Sequence, residues 1–252
     1  MSNNTDYFIN KTSYLVNSAN RINGTPSNFQ YLFDIDPSID YSHVCLISAS
    51  IPKTFYGVPV GSCFILTEQG ISVYIYPPAG NYSRNSFALV VKDLLNLNSP
   101  NGWTYNITFP NINRGADNGH YTFTVQGNAG IQPSFTINDT LDRQMGFAIG
   151  TYDFVGDSLE SENVCNLNPE NVLVLHSSMV NERNGHLKAI MSSSTNSYDY
   201  IIFENKSIHE TAKKMVRSKN NVYSFTLTDS NNQLIELNGN ELVFTIIIFH
   251  HR

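Results

Sequence analysis

Two short segments contain residue types that bind metal ions. Asp34, Asp36 and Asp40 bring three carboxylates close together in the sequence, and calcium takes carboxylate oxygens as ligands. The segment lacks the glycine and the distal glutamate of a calcium-binding loop, so alternating carboxylates on the solvent face of an edge strand are the favoured interpretation. His250-His251-Arg252 lies at the end of the chain, where a frayed or shortened tail is the simpler explanation. We therefore predict no metal site and no cofactor.

Gly156-Asp157-Ser158-Leu159 matches the opening block of the GDSL hydrolases, in which the serine is the nucleophile. In those enzymes an Asp-x-x-His pair follows later in the chain and supplies the base. Here the corresponding pair, Asp117 to His120, comes before the serine, and no alternating β/α pattern exists to position a nucleophile. Because matches of four residues are common by chance, we predict that the chain has no catalytic residues and is not an enzyme.

Charge and hydropathy exclude several other classes of protein. The net charge is −6, so the chain lacks the basic face expected of a nucleic-acid-binding protein. Its longest apolar stretch, Leu242–Phe249, is too short to span a membrane. Three cysteines, an odd number without metal-like spacing, predict buried thiols in a reducing compartment. The N-terminus lacks the features of a signal peptide.

The elements that would position any site are mostly β-strands. Apolar and polar residues alternate around Phe29–Ile35, Ile71–Ile75, Tyr121–Val125 and Tyr223–Leu227, which is the period of a half-buried strand. Only Phe87–Leu95 has clear helical spacing, with Asn85 or Ser86 as the predicted N-cap. Ile208–Val216 matches helical spacing more weakly, and a short turn around Asp139–Met145 is a further candidate. We predict an all-β jelly-roll sandwich of about eight strands in two sheets, with one or two short helices in its connections.

The predicted organisation is an extended N-terminal arm over residues 1–26 and a single jelly-roll domain over residues 27–252. The arm is polar and ends at Gly24-Thr25-Pro26. Beyond residue 27 we find no internal repeat and no linker sharp enough to divide the domain.

The segment after the strand Val44–Ile51 combines a proline with two aromatic residues in a loop. Pro52 ends the strand because it cannot donate to a continuing ladder, and Phe55 and Tyr56 follow within four residues. Either these rings cap their own core, or they insert into a neighbouring subunit as interface anchors. Both alternatives are consistent with the sequence, and the candidate subunit interface is Pro52, Phe55 and Tyr56.

Several separated motifs together resemble a known family. They occur in this order: ISASIPKTFYGV (Ile47–Val58), FILTEQGISVYI (Phe64–Ile75), GNYSRNSFALVVKDLLN (Gly80–Asn96), DRQMGFAIGTY (Asp142–Tyr152), NVLVLHSSMV (Asn171–Val180) and YSFTLTDSNNQLIELNGNELVFTIII (Tyr223–Ile248). In that order and spacing the chain resembles the penton (vertex, or minor capsid) proteins of virophages and Polinton-like viruses. The resemblance covers most of the chain, from about Tyr31 to Phe249.

The resemblance implies a structural role in a virion. Five copies would form a homopentamer at each five-fold vertex of an icosahedral capsid, seated among major capsid proteins of double jelly-roll fold. The alternatives are a jelly-roll module that binds carbohydrate or a receptor, a trimeric receptor ligand, and another minor capsid or spike-base protein on the same fold. Trp103, the single tryptophan, lies in a turn without a neighbouring aromatic stripe, which disfavours the carbohydrate-binding alternative.

Overall fold

Short runs of alternating apolar and polar residues form strands through most of the chain, since one face of each run is buried and the other is solvated. The structure is a computed structural model that describes residues 10–108, 118–168, 171–181, 185–192 and 195–251. Over these residues it contains, in chain order, β1 (Asn10–Asn17), β2 (Asn23–Thr25), β3 (Asn28–Leu32), β4 (Asp40–Pro52), β5 (Phe64–Glu68), β6 (Ile71–Ile75), α1 (Arg84–Asn98), β7 (Thr104–Thr108), β8 (Thr122–Gln126), β9 (Ser134–Ile137), α2 (Asp142–Met145), β10 (Gly150–Asp153), β11 (Ser158–Glu160), β12 (Val172–Ser177), β13 (His186–Met191), β14 (Tyr200–Glu204), β15 (Lys213–Lys214), β16 (Val222–Thr228) and β17 (Val243–His251).

The chain forms two compact units. Unit 1 contains Met1–Phe55 and Glu170–Arg252, and unit 2 contains Tyr56–Pro169. Unit 2 is therefore an insertion between β4 and β12 of unit 1. The sequence predicted one undivided domain over residues 27–252, because composition and strand period do not change where the insertion begins and ends.

Unit 1 has the strand order of a jelly roll. Its two antiparallel sheets have the orders β1-β17-β4-β14 and β13-β12-β16-β3-β2. When the eight main strands of unit 1 are numbered along the chain, leaving out the short β2 and β15, the sheets read 1-8-3-6 and 5-4-7-2. This is the interleaving that two Greek keys produce when they fold into a sandwich. The predicted fold class, an all-β jelly roll with one or two short helices, is confirmed.

The core of unit 1 lies between these two sheets. Inward-facing aromatic rings dominate it: Phe225 on β16 lies 5.6 Å from Phe29 on β3 and 5.0 Å from Phe244 on β17, measured between ring centroids. Strand β17 is buried on both faces, since Ile247 and Phe249 on its second face pack with Cys45, Ile208 and Ala212. Burial on both faces explains why the run Ile246–Phe249 is apolar without interruption.

The described part of the predicted arm belongs to the jelly roll. Residues Asn10–Asn17 are β1, which pairs along its whole length with β17. The side chain of Val16 is fully buried, and Tyr14 packs against the same core. These two inward-facing residues are surrounded in the sequence by Lys, Thr, Ser and Asn, so the average composition of the segment is polar. Residues 1–9 lie outside the described residues, and an arm there stays a prediction.

Unit 2 has a core of its own. It contains the antiparallel sheets β10-β9-β5-β6 and β11-β8-β7, together with both helices. Helix α1 buries Phe87, Val91 and Leu95 at helical spacing against this core. No helix among the described residues is long and apolar enough to cross a membrane.

Candidate assembly surfaces

The loop that follows β4 is anchored to the protein's own structure. Pro52 is buried opposite Tyr200, and the Thr54 hydroxyl donates to the carbonyl of Leu237 at 2.7 Å. Phe55 is 8% exposed and belongs to the core of unit 1, so its ring caps its own core. Tyr56, the first residue of unit 2, is half-buried. An interface role for Pro52, Phe55 and Tyr56 stays a prediction, and of the three only Tyr56 has a partly exposed side chain.

Lys53 in the same loop is hydrogen-bonded to the segment that precedes β14. Its side chain is 3% exposed, and its Nζ donates to the carbonyls of Ser192 at 3.1 Å and Thr195 at 2.6 Å. Its main-chain N–H donates to the carbonyl of Asp199 at 2.8 Å. Burial lowers the pKa of this lysine because desolvation disfavours the charged form. Lys53 therefore fixes the start of the edge strand β14.

The GDSL segment is a hairpin turn. Val155 and Ser158 form an antiparallel bridge, and Gly156 and Asp157 between them have φ of 59° and 63°. Two central residues with positive φ define the type I′ turn that suits a tight hairpin. The Asp157 carboxylate accepts from Asn128 at 2.6 Å and from Gln132 at 2.9 Å, which lowers its pKa. The geometry gives this segment a structural role.

Neither candidate metal segment assembles a ligand cluster. Asp36 accepts from the main-chain N–H of Ser38 at 2.9 Å and from its hydroxyl at 2.7 Å, and these hydrogen bonds lower its pKa. His250 lies in β17, with its ring 5.5 Å from that of Tyr41, so the expected frayed tail is instead a paired strand through His251. Within the described part of the chain, no group of three or more His, Cys, Asp or Glu residues could hold a metal ion.

The outer face of the sheet β1-β17-β4-β14 is almost without charge at one end. The register places one row across its four strands, formed by Leu15, Thr245, Ser48 and Glu204. The next row is Asn17, Val243, Ser50 and Ile202. Glu204 is the single ionisable residue in these two rows. A scarcity of charged side chains is typical of the core of a surface that a neighbour covers.

Both edges of this sheet expose apolar side chains. Leu15 on β1 is 65% exposed, and on β14 Tyr200 is 54% and Ile202 64% exposed. The sequence did not indicate these three residues, because two lie between the motifs that end at Val180 and begin at Tyr223, and the third lies in the predicted arm. The signal was present: YIIF at Tyr200–Phe203 is apolar at outward as well as inward positions.

Unit 2 also presents a sheet face with few charges, on which the exposed Asp153 at the end of β10 lies in the same row as Ser134 and Thr67. Tyr74 on the edge strand β6 is 59% exposed, and Tyr76 just after the strand is 55% exposed. Their rings stack with centroids 6.1 Å apart. Cross-strand hydroxyl pairs continue the face, with Thr67 bonded to Ser72 and Thr136 to Thr151, both at 2.9 Å. Stacked tyrosines beside hydroxyl groups form a flat, amphipathic platform.

An open cavity of about 400 Å³ lies between α1 and the sheet β11-β8-β7. Its lining is polar: Lys92, Asn96, Thr104, Tyr105, Asn106, Thr124 and Gln126. The Asn96 amide is engaged within the fold, since it donates to the Tyr105 carbonyl at 3.0 Å and accepts from the Tyr105 N–H at 2.6 Å. Two of the lining residues, Asn96 on α1 and Tyr105 on β7, are therefore already hydrogen-bonded to each other.

No protein-family model matches the chain, and the search of curated proteins gives no match either. Among solved structures, the chain is similar to the mavirus penton protein, with 12% sequence identity and a TM-score of 0.48 over 96% of this chain and 99% of that chain. It is also similar to a chain in the cryo-EM structure of the Sputnik virophage, with 12% identity and a TM-score of 0.43 over 95% of this chain and 97% of that chain. The jelly-roll assignment of unit 1 rests on its own strand order.

Proposed function

We propose that the chain is a structural capsid protein: a penton subunit that forms homopentamers at the five-fold vertices of an icosahedral capsid. The observation that carries the proposal is the jelly-roll strand order of unit 1, the sandwich that viral capsid domains use. The ordered motifs that resemble virophage and Polinton-like pentons support the vertex position. The chain acts by assembly rather than by catalysis, and its site of action is the virion.

The surface chemistry supports an assembly role. Only 14% of the residues are charged, against about 25% in an ordinary soluble domain, and both units present sheet faces with few charges. The partners that we propose are further copies of this chain and a double jelly-roll major capsid protein, without direct contact to nucleic acid. Tyr56 is the residue of the β4 loop that we assign to a subunit interface.

Assembly in a reducing host compartment is part of the proposal. No disulfide joins Cys45, Cys63 or Cys165; Cys45 is buried and the other two are half-buried. Reduced thiols are the state expected of cysteines in a cytosolic or nuclear protein.

The mass of the purified protein in solution tests the homopentamer. We expect light scattering at two ionic strengths to give five times 28.3 kDa. A stable trimer would overturn the penton assignment and favour a receptor ligand or a spike protein.

A second candidate function is favoured by the tyrosine pair of unit 2. Exposed aromatic rings beside hydroxyl groups suit the recognition of a carbohydrate, as in jelly-roll lectin domains, and Tyr74 and Tyr76 provide such a pair. A monomer whose binding to immobilised glycans is lost on Tyr74→Ala would favour this alternative over the capsid role.

A further inference from the structure

Two strands of the jelly-roll sheet leave one side of their main chain without a partner strand. β1 and β14 are the opposite edges of the sheet β1-β17-β4-β14, and within the described residues no strand pairs with the outer side of either one. Exposed edges of this kind are ready to pair with another chain unless something protects them. Here neither strand contains a proline, and both expose apolar side chains.

The hydrogen-bond alternation identifies which residues of β14 point their main-chain groups outward. The N–H of Lys53 donates to the carbonyl of Asp199, and the N–H of Asn205 donates to the carbonyl of Ile47. Since hydrogen-bonded and non-bonded pairs alternate along an antiparallel ladder, the odd-numbered residues of β14 bond to β4. Tyr200, Ile202 and Glu204 therefore direct their N–H and C=O groups to the free edge.

The same argument applies to β1. The N–H of Ser18 donates to the carbonyl of Leu242, in register with the pairs Val16–Phe244 and Tyr14–Ile246. The even-numbered residues of β1 therefore bond to β17. Lys11, Ser13 and Leu15 therefore direct their main-chain groups to the free edge. The Tyr31 hydroxyl donates to the Leu15 carbonyl at this edge, at 3.5 Å.

These six residues also carry the exposed side chains of the two edges. Lys11, Ser13 and Leu15 are exposed, as are Tyr200, Ile202 and Glu204. We propose that β14 of one copy pairs antiparallel with β1 of the next copy, with Lys11 opposite Glu204, Ser13 opposite Ile202 and Leu15 opposite Tyr200. The proposal rests on the proposed homopentamer and specifies the contact between its subunits.

Direction, charge and hydropathy agree in this register. Neighbouring strands in the sheet alternate in direction. If the sheet of the next copy continues this alternation, its β1 runs antiparallel to β14. The pairing joins a lysine to a glutamate at one end and an aliphatic side chain to an aromatic ring at the other. A shift by two residues would place Lys11 opposite Ile202 or Lys206, and would lose the ion pair.

The pairing uses two different edges of each copy, so it is a heterologous contact. Contacts of this kind build closed rings or open chains, rather than two-fold dimers. A head-to-tail contact is therefore what a ring of five copies needs.

Cysteine cross-linking of the full chain tests the register. In the variant with Ser13→Cys and Ile202→Cys, the two thiols are opposed, where Cα atoms lie about 5.5 Å apart in an antiparallel pair and a disulfide fits. Mild oxidation should give a ladder of covalent multimers up to the pentamer on a non-reducing gel. The matched control, Leu15→Cys with Glu204→Cys, is four residues out of register and should give no ladder.

Charge reversal tests the ion pair independently. Lys11→Glu or Glu204→Lys alone should weaken assembly several-fold, and the two together should restore it. Lys219→Glu and Glu210→Lys make the same charge changes at exposed positions outside both edge strands and should assemble like the wild type. Circular dichroism establishes that each variant is folded before its mass is measured.

The outcomes separate this inference from the proposed function. A pentamer without the cross-link and without an effect of charge reversal overturns the edge pairing and leaves the penton assignment in place. A cross-linked trimer supports the pairing and overturns the pentamer. A wild-type protein that stays monomeric at all concentrations overturns both.

Discussion

At the scale of single residues, the loop after β4 is held by close packing around Gly57. The Gly57 N–H donates to the side-chain carbonyl of Asn81 at 2.8 Å, and its own carbonyl accepts from the Gln144 amide at 2.7 Å. A Cβ atom added at Gly57 would overlap the carbonyl oxygen of Leu167. The φ of Gly57 is not positive, so its backbone conformation does not require glycine. Glycine is required because the main chain at Leu167 lies too close for a Cβ atom.

Gly57→Ala should therefore lower the free energy of unfolding by about 2 kcal/mol, the size of effect expected when extra atoms are forced into a packed site. Gly80→Ala is the matched control, because its added Cβ would meet only ordinary contacts, at 3.6 Å from the Tyr82 ring. Urea unfolding of the two variants measures the difference. Equal stabilities would show that Leu167 can move away without cost.

Buried tyrosines make stability depend on alkaline pH. Burial is the largest cause of the raised pKa of Tyr14, at about 12, and of Tyr105, whose hydroxyl also donates to Glu68 at 2.8 Å. In the unfolded chain a tyrosine loses its proton at about pH 10, whereas the folded protein keeps it. The unfolded state then binds fewer protons, so stability is complete below about pH 10 and falls as the pH rises further.

Urea midpoints measured from about pH 8 to 11 should fall above about pH 10. The Tyr105→Phe variant should show a shallower fall than the wild type, because it has no proton to lose at that position. A wild-type midpoint that stays constant to about pH 11 would contradict the assignment.

At the scale of elements, helix α1 shows what a local pattern predicts well and where it fails. Helical spacing of Phe87, Val91 and Leu95 predicted the helix, and the structure confirms it. The predicted N-cap was Asn85 or Ser86, but the cap is Ser83, whose hydroxyl accepts from the Ser86 N–H while the Ser86 hydroxyl accepts from the Ser83 N–H. A serine-to-serine capping box is difficult to predict from sequence in a chain this rich in serine.

Ser83→Ala should cost about 1 kcal/mol of stability, since it leaves main-chain donors at the helix start without an acceptor. Asn85→Ala, an exposed position in the first turn, is the control and should change stability by less than about 0.5 kcal/mol. Thermal unfolding of both variants tests the assignment. A larger loss for Asn85→Ala would place the cap where the sequence had suggested.

Strands with a buried and a solvated face were predictable, and the jelly-roll edge strands β1 and β14 were not. The hairpin of β5 and β6 and the alternation of β16 follow directly from a period of two. β14 has apolar residues at outward positions as well, and Ile208–Val216, which had weak helical spacing, forms turns and the short β15. Pairing with β4, a contact distant in sequence, decides the structure of both segments.

At the scale of the whole molecule, the sequence indicated the class of fold but not its division into two units. The eight jelly-roll strands lie on either side of an insertion at Tyr56–Pro169, and strand period alone cannot show that β4 and β12 belong to one sandwich while β5–β11 belong to another unit. The first strand was hidden for a related reason: β1 is recognisable only through its pairing with β17 at the other end of the chain.

The symmetry of the assembled particle tests the central claim most directly. Negative-stain electron microscopy of the purified protein should give class averages with five-fold rotational symmetry, in rings of five 28.3 kDa chains. Class averages with three-fold symmetry, or single unassembled chains at every concentration, would contradict the account of this jelly roll as a capsid vertex protein.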